Sequence, residues 1–295
     1  MDRADFRTPL REVMPGVLMK FECDNPGGSH KVRAAYRVID KGIRDGHIVP
    51  GKTTIIEKTG GNFGFGLAVV CNKLQIPVEL AVGLGFSAIK RRYLEMFGAR
   101  LIGVELLKQG ATPKEVVSRQ LEQASRNGRS YFYTDQFSNI ASIHAHEFET
   151  GREIVEQLHG WPTVKRLVFV ACAGTGASFT GVARALMGSG YEVSCVLVEP
   201  EGCDASKGVF VDHPFEGMSV GVSPPFLDWG QVQDRHAVTF DAAMETRRWF
   251  CQRSGYFIGN TTAACLTVAR RLAERMSDDQ KVVMLFYDHG LWYSH

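Results

Sequence analysis

The sequence predicts an α/β protein with two sheets, on three observations. Short β-rich runs alternate with amphipathic helical stretches along most of the chain. Several of the runs, Leu167-Val-Phe-Val-Ala171 above all, are apolar throughout, as strands covered on both faces by helices are. Glycine-rich segments lead from strand candidates into helix candidates, at the carboxyl ends where open α/β sheets hold ligands.

Taken in order, a turn at Asn25–Lys31 opens onto a helix over Val32–Arg44, with Ser29 as its expected N-cap. Pro50-Gly51 then turns the chain into a strand at Thr53–Glu57, and a glycine loop leads to a helix over Phe63–Lys73. Strands at Val78–Val82, Arg100–Val104 and Tyr131–Thr134 alternate with helices at Ser87–Phe97 and Pro113–Arg126. A helix over His146–Leu158 precedes the buried strand Arg166–Ala171, and a second glycine loop opens the helix Phe179–Met187. After the strand Glu192–Glu199 comes Glu201–Asp228, rich in Gly, Ser, Pro and Asp and without helical pattern. A segment of that length is either the wall or lid of a site or a surface excursion. Helices at Ala242–Arg253 and Thr262–Arg275 and a strand at Val282–Tyr287 complete the reading.

The 295 residues suffice for one large or two modest domains. With 44% hydrophobic and 22% charged residues an ordinary core is available, so disorder is excluded as the main state. Lys plus Arg is 34 against 32 Asp plus Glu, which gives no electrostatic reason to expect nucleic acid or an anionic membrane as partner. The longest apolar run, Leu167–Ala173, is far short of the ~20 residues of a membrane span. The N-terminus lacks the apolar stretch of a signal peptide, so a cytoplasmic protein is expected. Seven cysteines, odd in number and without a CxxC pair, point to reduced thiols and to no metal site.

Three motifs match on paper only. Gly46–Thr53 fits the phosphate-loop pattern, yet a helix precedes it and a strand follows, the reverse of what cradles a phosphate. Gly217-Met-Ser219-Val-Gly221 fits a nucleophile elbow, but Pro224 and Pro225 forbid the helix it needs. His144 and His146 are two apart, and side chains at that spacing diverge on a helix.

The constellation that holds together has three parts. Lys31 opens a helix directly after Gly27-Gly28, where the dipole disfavours its charge and suits an amine kept for nucleophilic chemistry. Thr59-Gly60-Gly61-Asn62-Phe63-Gly64 offers backbone N–H groups to an anion the size of a carboxylate. Gly174-Thr175-Gly176-Ala177-Ser178 is a second strand–loop–helix nest, with hydroxyls added, that suits a phosphate. A lysine, a phosphate nest and a carboxylate nest together point to pyridoxal phosphate and an amino-acid substrate.

The same residues, with Thr8-Pro9-Leu10, Arg91–Ala99, Asp135–Asn139, Thr150–Ile154, Gly255–Ala264 and Asp288–Gly290, make the chain resemble the fold type II pyridoxal-phosphate enzymes. Within that tryptophan synthase β family it is most similar to the cysteine synthase and cystathionine β-synthase branch. The resemblance implies two open twisted α/β domains with the cofactor in the cleft between them. Residues 1–33 with 143–295 would form the larger, cofactor-binding domain, and 34–142 a smaller, mobile, substrate-side domain. It implies Lys31 as the catalytic Schiff-base lysine, Gly174, Thr175, Gly176, Ala177 and Ser178 on the cofactor phosphate, Asn62 on its ring hydroxyl and Thr261 facing its ring nitrogen. Thr59, Gly60, Gly61, Asn62 and Phe63, with Gln136, would bind the substrate carboxylate. A homodimer is implied as well.

By this resemblance the reaction is β-replacement on serine or an O-activated serine through an aminoacrylate, with a thiol or amine as the incoming nucleophile. Two alternatives stay open: β-elimination of the dehydratase or desulfhydrase type, and a non-catalytic member that binds an amino acid or a partner. The chain departs from the branch at two places. Thr59-Gly60-Gly61-Asn62-Phe63 stands where Thr-Ser-Gly-Asn-Thr is usual, and Asp288-His289-Gly290 where Asp-Ser-Gly is frequent.

Overall fold

Residues 6–293 are described by a computed structural model, in which the chain divides into two units. Asn25–Ser142, with Phe6, makes one; Arg7–Asp24 and the chain from Ile143 onward make the other. In chain order the strands are β1 (Leu10–Met14), β2 (Val17–Lys20), β3 (Thr53–Glu57), β4 (Val78–Leu80), β5 (Arg100–Leu101), β6 (Ser130–Tyr133), β7 (Arg166–Cys172), β8 (Glu192–Pro200), β9 (Asp234–Val238) and β10 (Gln280–Leu285). The helices that position the site are α1 (Lys31–Arg44), α2 (Asn62–Lys73), α3 (Ala88–Met96), α4 (Val104–Lys108), α5 (Pro113–Arg126), α6 (Ala141–Ala145), α7 (Arg152–Leu158), α8 (Ala177–Met187), α9 (Phe240–Ser254) and α10 (Asn260–Ala273).

The first unit holds a parallel sheet in the order β5-β4-β3-β6, with Ile55 opposite Val78 on one side and Phe132 on the other. Ile56, Ala81, Ile102, Val116 and Val117 close its core between the sheet and α5. The second unit holds a six-stranded sheet, β1-β2-β10-β7-β8-β9, parallel except for the β1–β2 hairpin. β7 lies inside it with Leu167, Phe169, Val170 and Ala171 buried, which is why its sequence is apolar without alternation. The sequence-based boundary falls after Arg33, whereas residues 25–33 pack here with the first unit. α1 runs unbroken from Lys31 and lies along α2, so its start cannot be separated from its body.

Helices and inner strands fall where the apolar pattern places them. Five elements do not. β1 and β2 are too short to show a period. β9, Asp-Arg-His-Ala-Val, is an edge strand carrying charges, so its polarity hides it. The strand expected through Val104 ends at Leu101, because Gly103 takes a left-handed turn (φ 69°) and starts α4. The helix expected over His146–Leu158 is α7 preceded by a π-helical turn, His146–Gly151. There α8 approaches closely: a Cβ on Gly151 would lie 2.5 Å from Ala185, and one on Gly181 2.6 Å from the Ile143 carbonyl.

Candidate active site

In the first unit, the end of β3 and the end of β6 are tied by one carboxylate. Glu57 Oε2 accepts from Thr134 Oγ1 at 2.6 Å and from the Gln136 N–H at 3.1 Å, while Oε1 accepts from the Lys58 N–H at 2.9 Å. Burial pushes this carboxyl above its ordinary range, against the hydrogen bonds that favour its charge. Glu57 thereby fixes the backbone leading into Thr59–Phe63 and the position of Gln136. Gly60 is buried against Val82 and Phe86, which a Cβ would meet at 2.5 and 2.8 Å, so a seryl side chain has no room. Gly61 faces open space and caps α2 in extended conformation.

Lys31 begins its helix beside this loop. A Cβ on Gly66 would come within 2.9–3.0 Å of the Lys31–Val32 backbone, so α2 approaches α1 at its first residue only because that position is glycine. Gly27 and Gly28 make the preceding turn with φ of 79° and 73°. The N-cap is His30, not the expected Ser29, whose Oγ instead accepts from the Lys31 N–H at 3.4 Å. One unit therefore brings Lys31, Thr59, Gly60, Gly61, Asn62 and Phe63 together, with Gln136 joined to them through Glu57.

The second unit carries the other nest. β7 ends at Cys172, and Gly176 caps α8 in the left-handed region (φ 87°). A Cβ on Gly174 would sit 2.5 Å from the Gly217 carbonyl and one on Gly176 2.4 Å from the Leu227 N, so neither position accepts a side chain. Thr175 is buried and its Oγ1 accepts from the Ala177 N–H; Ser178 is half-buried in the first turn of α8. The segment over Glu201–Asp228 is the wall of this nest. Ser219 donates its N–H to the Ala173 carbonyl and Phe226 to that of Thr175, and Thr180 Oγ1 donates to the Phe226 carbonyl at 2.7 Å. Thr261, buried at the start of α10, lies about one contact further on: a Cβ on Gly217 would be 4.0 Å from its methyl.

Gly217, Phe226, Leu227 and Thr180 escaped the sequence reading as parts of this site. The signal was present, because Gly217 and Gly221 belong to the rejected nucleophile-elbow match. What that motif marks here is left-handed backbone at 217, 219 and 221 inside a loop that walls the glycine nest. Gly46 and Gly51 are likewise turn glycines between α1 and β3, and His146 is buried on Thr150 Oγ1 at 3.0 Å, so neither motif forms a site.

Beneath the nest lies a fully buried group. The Cys265 thiol donates to Cys172, holding the latter below the ordinary thiol range, while burial pushes Cys265 and Tyr287 well above theirs. Tyr287 Oη also meets the Cys172 N–H at 3.3 Å. All seven cysteines are free thiols.

A phosphate monoester fits the second nest on its own geometry. Strand, glycine cradle and helix N-terminus present N–H groups without side chains in the way, and the half-buried Ser178 adds a hydroxyl. Residues 2–288 match the family model described as pyridoxal-phosphate dependent enzyme. A cysteine synthase of Staphylococcus aureus is 32% identical over 275 residues, 93% of this chain and 86% of that protein. An O-ureido-L-serine synthase structure superposes with a TM-score of 0.85 at 28% identity, covering 99% of this chain and 92% of the other. An O-acetylserine dependent cystathionine β-synthase of Helicobacter pylori gives 0.84 at 28%, covering 99% and 95%. A match that spans both nests and both sheets leaves one conclusion: this chain belongs to the pyridoxal-phosphate dependent enzymes of fold type II, in the cysteine synthase and cystathionine β-synthase branch.

Proposed function

We propose that the protein replaces the β-substituent of an O-activated serine with a small thiol or amine nucleophile. The observation that carries this is a cysteine synthase relative aligned over 93% of the chain, in which the glycine nest keeps a phosphate-compatible geometry. Gly174–Ser178 would hold the cofactor phosphate, Asn62 its ring hydroxyl, Thr261 its ring nitrogen and Lys31 its aldehyde carbon. Bound there, pyridoxal phosphate supplies an electron sink for negative charge at the substrate α-carbon. Lys31 Nζ serves as the base that takes the α-proton. Thr59, Gly60, Gly61, Asn62 and Phe63 orient the substrate carboxylate through N–H and hydroxyl donors at the start of α2, with Gln136 beside them. The activated hydroxyl leaves the β-carbon with its electron pair, and the nucleophile adds at the same carbon. A homodimer and a cytoplasmic location complete this reading; among the described residues no helix is long and apolar enough to cross a membrane.

The test is a visible spectrum of the cofactor-loaded protein, recorded as O-acetylserine and then a thiol are added. The expected result is a spectral change on the first addition and its reversal on the second, with a new thioether or thiol amino acid formed. Lys31→Ala should lower turnover by about 10²–10⁴-fold. Keto acid and ammonia released at full rate without a nucleophile would assign elimination instead. A protein that stays colourless after loading would overturn the enzymatic reading.

A further inference from the structure

A second site lies in the second unit, away from both nests in sequence, and is independent of the reaction assigned above. Cys23 Sγ, a carboxylate oxygen of Asp24 and a ring nitrogen of His289 all lie within 4.8 Å of one another. Their backbones are fixed before any ligand arrives. β2 pairs with β10 up to Lys20 and Leu285, and the Cys23 N–H continues the pairing onto the Phe286 carbonyl at 2.9 Å. His289 is held by an antiparallel bridge to Ile258, and its ring packs edge-on against Phe286 at 5.4 Å. Neither ring nitrogen of His289 hydrogen-bonds another described residue, and Asp24 is exposed, so the cluster opens to solvent.

The Cys23–Asp24 spacing is already that of a coordination shell. Bonds of about 2.3 Å to sulfur and 2.0–2.2 Å to oxygen, meeting at the tetrahedral angle, put the two ligand atoms about 3.5–3.7 Å apart. Cys23 Sγ donates to Asp24 Oδ1 at 3.6 Å, a hydrogen bond whose proton the ion would replace. We propose that Cys23, Asp24 and His289 bind a divalent cation of the zinc class, with the fourth position left to water. A thiolate with an imidazole selects a borderline-soft ion over magnesium or calcium, which take oxygen alone. On binding, the Cys23 thiol releases its proton to solvent. The ion fastens the residues just before Asn25, where the lysine-bearing loop begins, to the turn after β10.

The experiment is zinc binding to the full-length, cofactor-loaded protein after chelator treatment, read by calorimetry and by X-ray absorption at the zinc edge. The expected result is one zinc per chain, with one sulfur at about 2.3 Å and nitrogen or oxygen at about 2.0 Å. His289→Ala and Asp24→Ala, both at accessible positions, should each weaken binding by about 100-fold or more, beyond the usual effect of outer-shell changes. His236→Ala, a surface histidine paired with Asp234, should leave it unchanged. Absence of binding, a shell without sulfur, or equal affinity in His289→Ala with its circular dichroism intact would overturn the proposal.

Discussion

At the scale of single residues, the glycines of the Gly174–Ser178 nest are among the most restrictive positions in the protein. Gly176 combines φ of 87° with the Leu227 N–H 2.4 Å from where a Cβ would stand. An L-residue in that conformation costs about 1–2 kcal/mol before any collision. Gly176→Ala should therefore lower stability by about 2 kcal/mol or more and weaken cofactor retention by at least an order of magnitude. Thermal denaturation with a cofactor-release assay checks both; a variant that keeps its cofactor would remove the loop from the phosphate site. Lys31 and this loop could be proposed from sequence because a lysine at a helix start and glycines after a strand are local signals. Gly217 was not, since its role is to present a carbonyl to Gly174, a contact that only folding creates.

At the scale of elements, a buried pair joins the β1–β2 hairpin to α7. Lys20 is fully buried and donates to Glu153 Oε2 at 2.7 Å, to the Thr8 carbonyl at 2.6 Å and to Gln157 Oε1 at 3.0 Å. Removing one member of a buried ion pair typically costs about 3–5 kcal/mol. Glu153→Ala should destabilise by that amount in denaturant unfolding, far more than loss of the exposed Lys108–Glu105 pair. Glu57 predicts a pH effect of opposite origin. Burial raises its pKa, so its contribution is complete below the ordinary glutamate range and is lost as pH rises through the raised value. Glu57→Gln should make the fall in Tm with rising pH shallower; an unchanged slope would rule out Glu57 as the titrating group. The helices and inner strands were readable from period and apolar runs, while β9 and the π-helical turn were not. An edge strand is polar by need, and a π turn answers to the close approach of α8.

At the scale of the molecule, the proposed homodimer is checked by light scattering, where the cofactor-loaded protein should show twice the mass of one chain. A monomer at micromolar concentration would overturn it. The sequence by itself determined the α/β class, the parallel character of the sheets and the family, and it proposed the lysine and the two glycine loops as a site, all from short windows of residues. Only the tertiary structure decided what surrounds them. It made Glu201–Asp228 the wall of the Gly174–Ser178 nest and gave residues 25–33 to the first unit. It tied Gln136 to the Thr59–Phe63 loop through Glu57, and it brought Cys23 and Asp24 to His289. The last two depend on strands distant in sequence becoming neighbours in a sheet, and hydrophobic period records which face is buried but not which strand lies alongside.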